Sequence, residues 1–142
     1  LFMPNVYEDV AFAPQNYGLP EEEVAYRTKM ALAAVHIGHL AKKPIHKLSG
    51  GEKKLAAIAT ILSMKPDIIL MDIQMPVMNG YEATKMIRSL DREDAKVIPI
   101  IAMTANAFTE DRLRAKEAGM NEHIAKPFDA KLLVKIIHKL VH

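Results

Sequence analysis

From Ser49 onward, three short apolar runs alternate with helix-length amphipathic stretches, and this alternation constrains the fold more than any other feature of the chain. The runs are Ile68 to Met71, Val97 to Met103, and His123-Ile124-Ala125. Short, nearly continuous apolar runs suit strands buried on both faces. The stretches between them carry helical signals. Ser49 opens one, with Leu55, Ile58, Ile61 and Leu62 as its apolar face. Others are predicted over about Tyr81 to Leu90 and Ala107 to Ala118, the latter closed by Gly119. The last carries Leu132, Leu133, Ile136, Ile137, Leu140 and Val141, spaced to bury one stripe. The order α-β-α-β-α-β-α predicts an α/β fold in three layers, a short parallel sheet with crossover helices. Pro99 lacks an N–H and belongs at a strand edge or a strand start.

The first part of the chain reads as helical and irregular. Pro4, Pro14 and Gly18 are breakers, and Asn5 is placed to start a short helix over Val6 to Phe12. Pro20 followed by Glu21, Glu22 and Glu23 is a clear helix start, because the acids favour the positive end of the helix dipole. Tyr26, Met30, Ala33 and Ile37 then recur at helical spacing, and Gly38 is the expected stop. A basic connector surrounds Pro44. The division predicted is residues 1–64 as a helical segment and 65–142 as the βαβαβα part, together one composite domain of 142 residues.

Composition excludes several classes. The formal charge of +2 is too small for a nucleic-acid surface, and Lys42, Lys43, His46 and Lys47 lack interleaved aromatics, so they read as a solvated loop. There is no cysteine, hence no disulfide frame, thiolate nucleophile or cysteine metal site. His36 and His39 have no further ligand at good spacing and read as solvated. No apolar run approaches the ~20 residues that span a bilayer, so no membrane association by the chain itself is expected. No secretory signal is visible, and a cytoplasmic setting is expected. The chain begins at Leu1 rather than a methionine, which fits a cut or engineered sequence.

Leu48-Ser49-Gly50-Gly51-Glu52, followed by Lys53 and Lys54, sits at a helix start, where backbone N–H groups favour phosphate. Ser49 and Glu52 are also spaced as a capping box, a purely structural use of the same residues. With its flanks, the stretch over residues 1–72 resembles the helical and signature-loop part of ABC transporter ATPases of the cobalt and energy-coupling-factor type. The resemblance implies that Lys65 to Asp72 is a Walker B strand and that Leu48 to Glu52 faces nucleotide held by a partner. No G-x-x-x-x-G-K-S/T loop occurs in the chain, and Ile73 stands where the family has a glutamate that positions water. Autonomous ATP hydrolysis is therefore not expected.

Downstream, Asp72 is followed by Ile73-Gln74-Met75-Pro76-Val77-Met78-Asn79-Gly80, then Thr104 after an apolar run and Lys126-Pro127-Phe128 after another. This ordered set over residues 65–142 resembles the C-terminal half of a response-regulator receiver domain, of flavodoxin-like fold. The resemblance implies that Asp72 is the phosphoacceptor, that Thr104 and Lys126 contact the phosphoryl group, that His123 is the switch position, and that the bond before Pro127 is cis. It also implies magnesium at Asp72 and the carbonyl of Gln74. Such a site suits phosphoryl transfer, in which an ammonium, a hydroxyl and metal ions neutralise the moving charge. Taken singly, the same residues are ordinary polar ends of apolar strands. The acidic pair that holds magnesium in receivers has no counterpart in residues 1–64, so no cofactor is required and magnesium would bind weakly.

The strand from Lys65 to Asp72 satisfies both families, and a seam within it is the simplest join. Receiver strands run 2-1-3-4-5. Keeping only strands 3-4-5 leaves Ile68 to Met71 as an apolar edge, which recruits another strand or aggregates. Either the N-terminal segment covers it or two chains associate through it. Three readings stay open: an engineered or recombined hybrid without native catalysis, a residual phosphorelay acceptor, and a nucleotide-binding remnant that needs a partner.

Overall fold

The computed structural model describes residues 3–74, 78–105 and 109–141. Leu1, Phe2, Met75, Pro76, Val77 and Ala107, used in the sequence reading, lie outside the described residues. The chain gathers into two compact units, Leu1–Lys65 with Leu90–Arg92, and Pro66–Ser89 with Glu93–His142.

The first unit packs three helices on one another: α1 (Val6–Asn16), α2 (Glu21–Ala34) and α3 (Gly50–Ser63). Asn5 caps α1, its side chain accepting from the Glu8 N–H at 2.8 Å. The helix does not stop before Pro14, as a breaker would require, but runs through it. Proline cannot donate to the carbonyl four residues back. That carbonyl, on Val10, accepts instead from the buried hydroxyl of Ser63 at 3.0 Å. A polar residue on α3 thus makes the proline tolerable in α1.

The buried face of α2 is also not the one expected. Val24, Thr28, Ala31 and Leu32 are buried, while Tyr26 and Met30 face outward. Thr28 interrupts the inner stripe with a polar residue, so the apolar spacing pointed to the wrong face. The helix ends at Ala34, before the expected Gly38, because His36 takes the left-handed backbone at φ 61°. Two short 3₁₀ turns, Gly38–Leu40 and Ile45–Lys47, fill the connector. On α3 the buried residues are Ala56, Ile58, Ala59, Leu62 and Ser63, with Leu55 and Ile61 half-buried.

The second unit is built on a parallel sheet of β1 (Ile69–Asp72), β2 (Ile100–Thr104) and β3 (Glu122–Ala125), in the order β1-β2-β3. The register pairs Asp72 with Met103 and Thr104 with Ala125. Ile100, Ile101 and Ala102 on the central strand have no accessible surface. The second apolar run begins as a helix rather than a strand: α5 (Glu93–Val97) takes Val97, and Pro99 ends up just before β2, where its carbonyl accepts from Ile69 N–H. A five-residue helix is too short to leave a readable period.

Helices α4 (Gly80–Arg88) and α6 (Thr109–Ala118) pack together. Arg88 fastens this region, donating to the carbonyls of Gly119 (3.0 Å) and Ala95 (3.1 Å) and to Asn121 Oδ1 (2.9 Å). Gly119, at φ 107°, closes α6 as expected. The last helix, α7 (Ala130–Val141), departs from expectation: none of its described residues is buried. Leu133, Ile136, Ile137 and Leu140 are half-buried, and Leu132 and Val141 stay about half exposed. The stripe is present in the pattern, but its residues are at most half-buried.

Candidate functional site

Parallel strands bring their carboxyl ends to one edge of a sheet, which is where open α/β folds place their ligands. Asp72 ends β1, Thr104 ends β2, and Lys126 follows β3 directly. The ladder fixes this alignment: Ile73 N–H donates to Met103 O at 3.1 Å, and Lys126 N–H to Thr104 O at 2.7 Å. A cavity of about 200 Å³ lies there, with Asp72, Gln74, Thr104, Asp111 and Lys126 among its walls.

The Lys126 ammonium meets Asp72 Oδ2 at 2.5 Å, and the backbone N–H of Gln74 donates to Oδ1 at 3.0 Å. The ammonium first, and the Gln74 N–H second, hold the Asp72 carboxyl below its ordinary range. Both side chains of the pair remain more than a third exposed. Thr104 is buried at the floor. The Lys126–Pro127 bond is cis, in line with the resemblance.

Gly80 is required by this geometry. A Cβ there would lie 2.6 Å from the Asp72 carbonyl oxygen and 3.0 Å from Ile73 Cα. The helix α4 therefore starts hard against the strand end, with Gly80 N–H donating to Ile73 O at 2.9 Å and Asn79 capping through Glu82 N–H at 2.8 Å.

The structure thus brings Asp72, Gln74, Thr104 and Lys126 together. It does not bring His123 with them. His123 lies within β3 opposite Ala102, with Nδ1 3.7 Å from Glu122 Oε1. Sequence reasoning missed Asp111, which lines the cavity from the first turn of α6. An acid in a first turn is ordinary for any helix, so nothing in the pattern singled it out. Tyr81 lies beside it, its hydroxyl 3.4 Å from the Asp111 carbonyl and its ring under the Arg114 guanidinium at 4.6 Å. Burial pushes the Tyr81 hydroxyl up.

Magnesium, which the receiver resemblance implies, does not fit these donors as they stand. One oxygen of Asp72 is held by an ammonium and the other by an N–H. Among the described residues, no three His, Cys, Asp or Glu side chains come together as a metal-holding group.

The Leu48 to Glu52 stretch lies in the first unit. Leu48 is buried. Ser49 and Glu52 form the full capping box: Ser49 Oγ accepts from Glu52 N–H at 3.1 Å, and Glu52 Oε1 accepts from Ser49 N–H at 2.9 Å. Lys43 adds a bond to Glu52 at 3.3 Å. The Ser49 N–H first, and Lys43 second, hold the Glu52 carboxyl below its usual range. Gly50 and Gly51 face open space, so packing within the chain does not demand glycine at either position.

Comparison with known proteins finds both resemblances. Residues 32–138 match the sequence model described as the response regulator receiver domain. The energy-coupling factor transporter ATP-binding protein EcfA of Methanocaldococcus jannaschii is 45% identical over 104 residues, 73% of this chain and 37% of that protein. The chain therefore spans little more than a third of that relative's length. Among solved structures, the chemotaxis response regulator CheY4 of Vibrio cholerae aligns with a TM-score of 0.54 at 29% identity, over 65% of this chain and 72% of its own. The cbiO1 protein of Clostridium perfringens, described as part of the ABC transporter complex cbiONQ, aligns with a TM-score of 0.52 at 31% identity, over 88% of this chain and 41% of its own. The two similarities overlap more widely than the strand from Lys65 to Asp72. The receiver match starts at residue 32, and an alignment of 104 residues cannot end before residue 104.

Proposed function

Because the chain belongs to the response-regulator receiver domain family and is also similar to ABC transporter ATP-binding proteins, we propose that it is an engineered or recombined hybrid of the two, without catalytic turnover of its own. The observation that carries this reading is the state of the Asp72 cavity. It has the acceptor carboxylate, the hydroxyl and the ammonium of a phosphoryl-transfer site, but its donors leave no fitted place for the metal that neutralises the remaining charge. Nucleotide hydrolysis is missing its phosphate-cradling loop within these 142 residues, and the Ser49–Glu52 pair is engaged in capping α3. A cytoplasmic setting suits such a protein. Among the described residues, no helix is long and apolar enough to cross a membrane.

A second reading is favoured by one observation, the convergence of Asp72, Thr104 and Lys126 on a single cavity. In that reading Asp72 still accepts a phosphoryl group, as a residual phosphorelay module. Intact mass after treatment with a small phosphodonor and magnesium separates the two, with Asp72→Asn as the control. The hybrid reading expects no added mass on a cooperatively folded sample. A gain of one phosphoryl group, lost in Asp72→Asn, would replace it with the second reading.

A further inference from the structure

We infer that the Asp72 cavity is closed to divalent cations, because both carboxylate oxygens are engaged within the chain and one further carboxylate lines the cavity. The inference rests on reading Asp72 as the centre of the site, and it concerns what holds that site together rather than whether it reacts.

Both carboxylate oxygens of Asp72 are engaged. Oδ2 contacts the Lys126 ammonium at 2.5 Å, and Oδ1 accepts the Gln74 N–H at 3.0 Å. A cation arriving at Asp72 would have to expel the ammonium or sit against a like charge at contact distance. Expulsion is favourable only where further oxygen ligands compensate, because magnesium demands a near-ideal octahedron and gives up its water reluctantly. Among the lining residues Asp111 is the one other carboxylate. With Lys126 present, the formal charge of Asp72, Asp111 and Lys126 together is −1, which is little attraction for an ion that carries two positive charges. The backbone N–H of Gln74, a donor, is directed to Asp72.

The topology gives the lysine a second role. Asp72 ends β1 and Lys126 follows β3, and these are the outer strands of the sheet, with β2 between them. The ion pair therefore reaches across the end of the central strand and ties the two outer strands together. In this chain the tie is made by a side chain and needs no metal.

The test is a manganese titration of the whole chain, followed by the loss of the free Mn²⁺ electron-spin resonance signal. A receiver domain with its acidic pair intact, measured alongside, shows that the method detects such a site. The expected result is that titrations of the native chain and of Asp72→Asn superimpose, and that any magnesium shift in melting temperature is the same in the two. Lys126→Met should lower the melting temperature equally with and without magnesium. A saturable Mn²⁺ site that Asp72→Asn abolishes would overturn the inference, as would a magnesium rise in melting temperature that Asp72→Asn abolishes, or a melting temperature left unchanged by Lys126→Met. Binding that Asp72→Asn leaves intact lies elsewhere and supports the inference as fully as no binding does. Should Asp72→Asn not fold, Asp72→Ser takes its place in both measurements. Phosphoryl transfer to Asp72 would show in the mass experiment, so failure of the proposed function and failure of this inference are separable.

Discussion

Asp72 and Gly80 show how much a single residue determines at this site. Lys126 and the Gln74 N–H hold the Asp72 carboxyl below its ordinary value of 3.8. A depressed carboxyl pKa contributes stability that is fully present above the unfolded value and is lost as pH falls through the folded one. The stability difference between the native chain and Asp72→Asn should therefore be constant near neutrality and shrink below about pH 3.8. Urea unfolding across that range checks it. For Gly80→Ala, the new Cβ would meet backbone at 2.6 Å, which no side-chain rotation relieves. The expected cost is about 1–3 kcal/mol, in the range for overpacked sites, read from the same unfolding curves. The sequence showed Asp72, Gly80, Thr104 and Lys126, since each sits at a spacing a known family shares. It did not show Asp111, whose place at the cavity depends on how α6 packs.

Among the elements, two strands were legible to within a residue, the second was expected three residues too early because Val97 belongs to α5, and most helices were legible in kind, whereas packing faces were not. Helix α1 was expected to be short because Pro14 removes a hydrogen bond, and only the tertiary contact from Ser63 explains why it continues. Ser63→Ala should leave the Val10 carbonyl without its donor and cost about 1–3 kcal/mol, measured by chemical denaturation. Helix α3 depends more locally on its start. Ser49→Ala removes one half of the capping box, with an expected loss of about 1 kcal/mol, and far-ultraviolet circular dichroism during unfolding reports it. The stripe on α2 was misplaced because Thr28 is buried while Tyr26 and Met30 are not. Periodicity counts apolar residues, and burial here follows the neighbours α1 and α3.

For the whole molecule, the outer strand of the sheet carries the prediction. Strand β1 is an outer strand, and Leu70 on it is 42% exposed. An exposed apolar edge invites pairing with another chain. We propose that two copies associate through Ile68 to Met71. Light scattering after size exclusion should show a concentration-dependent dimer that Leu70→Lys shifts toward monomer, because a charged edge resists pairing. A monodisperse monomer at every concentration would reject the proposal.

By itself the sequence determined the alternation of helix and strand, the parallel sheet, the capped start of α3, and the set of residues that end the strands. These follow from local chemistry: runs of apolar residues, a serine and a glutamate at capping distance, and polar residues where a buried strand emerges. Only the tertiary structure decided that Asp72 is held by Lys126 across the end of β2, that Asp111 enters the cavity, that Ser63 accommodates Pro14, and that the face of α7 stays half exposed. Those outcomes join residues that are distant in the chain. Position along a sequence carries no term for the geometry that brings them into contact.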